Sequence, residues 1–141
     1  MSLIDSIRIA ASGMTAQRAR MDVAAGNLAN ARTTRSVVDG QLVAAPYLPE
    51  RVVFAASTSE PAGVAGRSVA VSEIVVIDAA PIPVYDPSHP DAGPDGFVLY
   101  PPVEPAAEMA DLMESSRAYA MNATAANAAK EMAVDSIEIA R

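Results

Sequence analysis

Apolar residues recur at alternating steps of three and four along the start of the chain. The repeat comprises Ile4, Ile7, Ala11, Met14, Arg18, Met21, Ala25 and Leu28, of which only Arg18 is not apolar. This heptad spacing predicts one long helix over residues 3–31, with a coiled-coil-like apolar seam along one side. At 1.5 Å per residue, such a helix would be roughly 40 Å long.

The same spacing returns at the other end of the chain. The second seam comprises Met109, Leu112, Ser116, Tyr119, Ala123, Ala126, Lys130, Ala133 and Ile137, and Met113, Ala120 and Val134 widen it on one side. Pro105 suits the first helical position, because the N–H that proline lacks has no partner there in any case. We therefore predict a second helix from Pro105, about 50 Å long.

The segment between the two helical patterns has a different character. All eleven prolines lie between Pro46 and Pro105, and proline breaks helix interiors. Residues 51–57, 67–78 and 96–101 are rich in Val, Ile and aromatic residues, which predicts strands in a small sheet or hairpin unit. The fold class predicted is α+β, with long terminal helices that pack in a coiled-coil-like manner and a small β-rich middle unit. The divisions are an N-terminal helical assembly arm (1–35), a β-rich middle unit with Pro/Gly loops (36–102) and a C-terminal helical assembly arm (103–141).

Charge is distributed unevenly along the chain. The net charge of −7 argues against general nucleic-acid binding, which needs a basic surface. Residues 1–35 carry +3, residues 36–100 carry −6 and residues 101–141 carry −4. The basic first arm and the acidic last arm should attract each other, within one chain or between chains.

The absence of cysteine, of a long apolar run and of a signal-peptide pattern argues against several classes of function. The chain has no cysteine, which excludes disulfides, thiolate catalysis and Cys-ligated metals. No uncharged apolar run approaches the ~18 residues of a membrane span, so we expect no direct membrane insertion. The first residues show no pattern of a cleaved secretory signal peptide.

The loop "DPSHPDAGPDG", residues 86–96, is the best place to look for catalytic chemistry. It holds three aspartates and His89, the only histidine, whereas catalytic zinc normally takes three protein ligands. A calcium loop is also disfavoured, because Gly93 has no ligand side chain and Pro102 stands where the closing glutamate belongs. Asp-Pro, His-Pro and Asp-Gly are turn formers. We therefore expect turns here, and no catalytic residue, cofactor or metal.

Asparagines punctuate the end of the first helical pattern. Asn27 and Asn30 flank Leu28 in "AAGNLANARTT", although asparagine is unfavourable inside helices and better suited to helix ends. The longer stretch "SGMTAQRARMDVAAGNLANARTTR" resembles the N-terminal signature of the bacterial flagellar axial proteins, the family of rod, hook and hook-associated proteins. The C-terminal stretch from Glu108 resembles the matching helix of that family, and "VYDPSHPDAGPDGFVLYP" resembles its proximal-rod members. Arg32, Pro102 and Glu104 depart from the common pattern.

The resemblance implies a non-enzymatic structural subunit of the proximal rod of the flagellar basal body. Such a subunit would polymerise through its terminal helices into the torque-transmitting drive shaft for motility. Its partners would be copies of itself, other rod proteins, rod base components and the flagellar type III export apparatus. It would lie in the periplasmic rod, exported from the cytoplasm without a cleaved signal peptide.

The same resemblance implies that Asn27 and Asn30 close the first helix and offer their amides to neighbouring chains. The predicted assembly interface comprises Ile4, Ile7, Met14, Met21, Asn27, Leu28, Asn30, Met109, Leu112, Met113, Tyr119, Asn127, Val134 and Ile137. Two alternatives stay open at this point. One is a small metal-dependent hydrolase that uses the His89 loop, and the other is a soluble coiled-coil adaptor.

Overall fold

The computed structural model describes residues 3–38, 40–58 and 67–139. The elements in chain order are helix α1 (Leu3–Ala29), strands β1 (Ser36–Val38), β2 (Gln41–Val43), β3 (Glu50–Ala56), β4 (Val69–Val76), β5 (Ile82–Tyr85) and β6 (Phe97–Tyr100), and helix α2 (Pro105–Ile139). The α+β prediction is confirmed: two long terminal helices pack together and small antiparallel sheets lie between them in sequence. Pro105 is the first residue of α2, as its missing N–H predicts.

The two helices run antiparallel and approach each other closely. Near the end of α1, Asn27 donates a hydrogen bond to Glu108 in the first turn of α2, and further along Gly13 lies against Asn122. The buried residues of the contact are small: Ala10, Ala16 and Ala24 from α1, and Ser115 and Ala129 from α2. Since the separation of packed helices depends on the side chains between them, small residues permit a short distance between the axes.

Gly13 shows how tight this contact is. A Cβ atom at Gly13 would lie 2.9 Å from the side-chain amide of Asn122, closer than real Cβ contacts occur. The Asn122 amide is itself held, because its Nδ2 donates to the Ala118 carbonyl at 2.9 Å. The absence of a side chain at Gly13 therefore leaves room for the polar side chain of the facing helix.

Between the helices, the described residues form three separate two-stranded antiparallel hairpins: β1–β2, β3–β4 and β5–β6. The longest, β3–β4, pairs Glu50 with Val76 at one end and Ala56 with Val69 at the other, with an irregularity between Val53 and Phe54. The strands predicted within 51–57, 67–78 and 96–101 are confirmed in outline. β1, β2 and β5 were not predicted. β5 contains Pro83, which a strand tolerates where one edge has no ladder partner.

The β3–β4 hairpin is tied to α1 by a polar contact. The backbone N–H of Val69, at the start of β4, donates to Ser12 Oγ at 3.1 Å, and Ser12 Oγ donates to the Ile9 carbonyl at 2.7 Å. In the β5–β6 hairpin, Val98 is fully buried. The divisions at 35/36 and 102/103 into assembly arms and a middle unit stay predictions.

Candidate assembly surface

Asn27 lies in the last turn of α1 and is 3% exposed. Its Nδ2 donates to the Glu50 carbonyl at 2.8 Å and to the Glu108 carboxylate at 3.3 Å. Its Oδ1 accepts from the Glu50 N–H at 2.9 Å and from the Tyr47 hydroxyl at 3.0 Å. Two donor and two acceptor interactions occupy the amide. One side chain thus joins α1, the start of β3 and the start of α2.

The expectation that Asn27 offers its amide to a neighbouring chain stays a prediction, although contacts within the chain already occupy both the donor and the acceptor of that amide. Its partners at Tyr47, Glu50 and Glu108 are distant in sequence but converge on it in the fold. Burial raises the pKa of the Tyr47 hydroxyl, and the nearby Glu50 and Glu108 carboxylates raise it further. Tyr47 consequently stays protonated at neutral pH and keeps the proton that it donates to Asn27.

Asn30 has the other role that was expected of the pair. Its Nδ2 donates to the Gly26 carbonyl at 2.9 Å, and its Oδ1 accepts from Thr33 Oγ1 at 3.1 Å. The Thr33 N–H donates to the Asn30 carbonyl at 3.0 Å. These contacts satisfy backbone groups that a helix end leaves without partners. Asn30 therefore closes α1, whereas its contact with a neighbouring chain stays a prediction.

The face of α2 that packs on α1 lies beside the predicted apolar seam. Ser115 and Ala129 are buried on this inner face, whereas Met113 is 59% exposed. The predicted interface residues divide into exposed side chains (Ile4, Met109, Met113, Tyr119, Asn127, Val134, Ile137), partly buried ones (Ile7, Met14, Met21, Leu28, Asn30, Leu112) and the buried Asn27. The contact within the chain thus buries small residues and leaves most of the large apolar side chains of α2 exposed, with Leu112 partly buried.

Two further methionines of α2 were not included in the predicted interface. Met121 and Met132 are 67% and 52% exposed, and neither falls on the heptad seam. Six large apolar side chains of α2 are exposed and together are called the exposed apolar surface of α2: Met109, Met113, Met121, Met132, Val134 and Ile137. Four of these six residues belong to the predicted interface. Met121 and Met132 do not, because alanines occur all around α2 and periodicity alone does not indicate which side faces α1.

A cleft of about 300 Å³ lies beside Asn27, between α1, β3 and the start of α2. It is lined by Arg20, Val23, Ala24, Asn27, Glu50, Arg51, Val52, Phe54, Glu108 and Asp111. Arg20 donates to Asp111 at 2.8 Å and lies 3.5 Å from Glu114, so the arginine bridges the two helices at the rim. These groups are partly exposed, and such ion pairs add little to stability.

The His89 loop is folded onto the segment that follows α1. Thr34 Oγ1 donates to Asp91 at 2.7 Å, and Arg35 Nε donates to the other carboxylate oxygen at 2.5 Å. The Asp91 N–H donates to His89 Nδ1 at 3.1 Å. The hydrogen bond from the Thr34 hydroxyl lowers the pKa of the buried Asp91 carboxyl, and Arg35 lowers it further. Burial acts in the opposite direction.

Turns account for the rest of this loop. The Ser88 N–H and hydroxyl donate to Asp86 Oδ1 at 3.1 and 2.6 Å, and these bonds lower the pKa of Asp86. Gly96 has a φ of 74°, and a Cβ there would meet the Tyr85 ring at 2.8 Å.

Within residues 3–38, 40–58 and 67–139, no three His, Cys, Asp or Glu side chains are grouped so that they could hold a metal ion.

Neither long helix qualifies as a membrane span. Over the described part of the chain, no helix has the combination of length and apolar content that crossing a bilayer requires.

Two sequence families match the ends of the chain. The family described as "Flagella basal body rod protein" matches residues 7–35, and the one described as "Flagellar basal body rod FlgEFG protein C-terminal" matches residues 95–139. The chain is 41% identical to the flagellar basal-body rod protein FlgC of Bacillus subtilis over the full length of both. It is 36% identical to FlgC of Borreliella burgdorferi, over 94% of this chain and 93% of the relative. It is 34% identical to FlgC of Salmonella typhimurium, over 99% and 98%.

Proposed function

Because the chain belongs to the FlgC family of flagellar basal-body rod proteins, we propose that it is built into the rod through its two terminal helices. The protein is a structural subunit of the basal-body rod and assembles with other rod proteins. In the finer proposal, it occupies the proximal rod, where the polymer transmits torque for motility. The mechanism is packing between subunits, with no catalytic step.

The observation that carries the proposal is the exposed apolar surface of α2. Met113 is 59% exposed and Ile137 is 70% exposed, on a helix whose inner face is already occupied by α1. Removing apolar surface from water contributes roughly 25 cal/mol per Å². Rows of large apolar side chains on the outside of a folded chain mark interaction sites. Packing between subunits would cover this surface.

The hairpins supply a second set of surfaces for contacts between subunits. Ile74 and Val76 of β4 are about half exposed, as are Ile82 of β5 and Leu99 of β6. Each hairpin has only two strands, so its outer edges carry backbone groups without a ladder partner. We propose that these hairpins make lateral contacts that are secondary to those of the helices.

The location and the partners follow from the role of a rod subunit. The protein lies in the flagellar basal body. In our proposal the rod that contains it stands in the periplasm and is joined to rod base components. The flagellar type III export apparatus would deliver the subunit from the cytoplasm.

A charge placed on the exposed apolar surface of α2 tests the proposal. Met113→Glu should leave the isolated chain folded, because the side chain is exposed. It should block rod assembly, since a buried carboxylate without a partner is strongly unfavourable. Ala80→Glu, at an exposed position between β4 and β5, is the matched control. In a strain that lacks the natural gene, we expect no swimming with Met113→Glu and normal swimming with Ala80→Glu.

Purified basal bodies distinguish this proposal from the adaptor alternative. A rod subunit should be present in them, and strains without the gene should lack a complete rod. Intact rods in those strains would overturn the structural role. Swimming cells whose rods contain the Met113→Glu chain would overturn the part assigned to α2.

A further inference from the structure

The last part of α2 extends past the described start of α1. Gly13 of α1 lies against Asn122 of α2. Both helices rise by the same 1.5 Å per residue, so equal steps along the antiparallel pair place Leu3 opposite Met132. Residues 133–139 therefore continue for about 10 Å beyond that point. We call this segment the overhang.

The overhang combines exposed apolar side chains with carboxylates. Val134 is 47% exposed and Ile137 is 70% exposed. Asp135 and Glu138 are also exposed, and no ion pair involves either of them within the described residues. No basic side chain lies in the last turn of α2, where the helix dipole already concentrates negative potential. This end of the helix favours a cation from outside.

The outer side of α1 has the complementary character. Arg8, Ala11, Thr15 and Arg18 are spaced by three, four and three residues and are all exposed. We call them the basic stripe. Neither arginine forms an ion pair within the described residues, in contrast to Arg20, which bridges to α2. Between the two arginines, the side chains of Ala11 and Thr15 are small, so the side chains of another helix could pack against this part of α1.

The geometry points to a contact between the overhang of one copy and the basic stripe of the next. We infer that Val134 and Ile137 lie over Ala11 and Thr15, while Glu138 faces Arg18. Glu138 is about 100° around the helix from Ile137, at the flank of this contact, where the long side chain of Arg18 can reach it. A second copy is the fitting occupant, because this chain carries both members of the charge-complementary pair. This inference rests on the proposed assembly in the rod.

The contact joins two different surfaces, so after pairing one copy still has its basic stripe free and the other still has its overhang free. Such a head-to-tail contact does not close a two-fold dimer and instead extends into a ring or a helical filament. The inferred contact therefore has the symmetry that a growing rod requires.

A cysteine pair tests the contact directly, because the natural chain contains no cysteine. Ala11→Cys and Ile137→Cys are combined on one chain, expressed in place of the natural protein, and basal bodies are purified and mildly oxidised. The two positions lie too far apart within one chain to join, since a disulfide needs Cα atoms roughly 4.4–6.8 Å apart. We expect a ladder of disulfide-linked copies. Ala25→Cys with Ile137→Cys is the matched control, exposed on the same side of α1 but about 20 Å further along, and it should give at least tenfold less linkage.

A charge exchange provides the second measurement. Arg18→Glu should lower the amount of the chain in basal bodies at least tenfold, and adding Glu138→Arg to the same chain should restore it. Double-cysteine chains present in basal bodies but unlinked, or a failure of Glu138→Arg to restore assembly, would overturn the inference alone. Absence of the unmodified chain from basal bodies would overturn the proposed function as well.

Discussion

The side-chain amide of Asn27 pairs with both backbone polar groups of Glu50. Nδ2 donates to the carbonyl at 2.8 Å, and Oδ1 accepts from the N–H at 2.9 Å. This two-way pairing resembles one rung of a β-ladder, with a side chain in place of a strand. It fixes the start of the β3–β4 hairpin against the end of α1.

Replacing Asn27 should therefore be costly. Asn27→Ala leaves the Glu50 N–H and the Tyr47 hydroxyl without their partner, and buried groups left unpaired cost about 1–3 kcal/mol each. We expect unfolding by urea, followed by circular dichroism, to show a loss of about 2–3 kcal/mol. Asn127→Ala, at an exposed position of α2, is the matched control and should change stability by less than about 0.5 kcal/mol. Equal effects of the two substitutions would contradict the joining role of Asn27.

The close approach at Gly13 predicts that the effect of substituting Gly13 on stability depends on the residue at position 122. In Gly13→Ala, the new methyl group must displace the Asn122 amide, which lies 2.9 Å away, and we expect destabilisation. In an Asn122→Ala background that clash is absent. The same substitution should then stabilise the chain by roughly 0.5–1 kcal/mol, because alanine is the better helix residue. A double-mutant cycle by urea unfolding measures the sign change, and additive effects would count against the contact.

Small residues between the helices predict intolerance of larger ones. Ala129 is 3% exposed on the inner face of α2, whereas its neighbour Ala128 is exposed. Ala129→Leu should force the helices apart and cost about 1–3 kcal/mol, and Ala128→Leu should be close to neutral. Thermal unfolding of both variants checks this difference. A stable Ala129→Leu variant would mean that the helix pair is more loosely packed than described.

The Asp91 contacts predict a stability change in acid. The pKa of Asp91 is lowered in the folded chain, so its contribution is fully present above the unfolded value of about 3.9 and is lost as pH falls through the folded value. Stability measured from pH 6 downward should therefore fall less steeply below about pH 4 in Asp91→Asn than in the natural chain. Asp95→Asn, at an exposed position, should keep the natural profile. Parallel curves for all three proteins would contradict this role of Asp91.

Local chemistry made the helix ends and the turns predictable. Pro105 begins α2 because of its missing N–H, and Asn30 closes α1 through contacts with Gly26 and Thr33, which lie four residues before it and three after it. The His89 loop could be read as turns for the same reason, since Asp86 and Ser88 interact within the loop. In each case the determining partners are near neighbours in sequence.

Contacts between residues far apart in sequence could not be predicted in this way. The heptad seam predicted a helix but not its inner face, because Ser115 and Ala129 pack inward while Met113 stays outside. The role of Asn27 depends on Glu50 and Glu108, which only the fold brings beside it. The strand β5 was not predicted because it contains Pro83, and a proline in a short segment argues against a strand there.

The antiparallel packing of α1 and α2 determines where a label can be attached. Leu3 and Ile139 lie toward the same end of the helix pair, whereas the connections to the hairpins leave from the other. A fluorescent protein fused at either terminus would therefore crowd the same region, beside the overhang. An insertion at the exposed Ala80, between β4 and β5, would place the fluorophore away from both terminal segments in sequence and outside the helix pair. For imaging this subunit in working motors, that loop is the site we would choose.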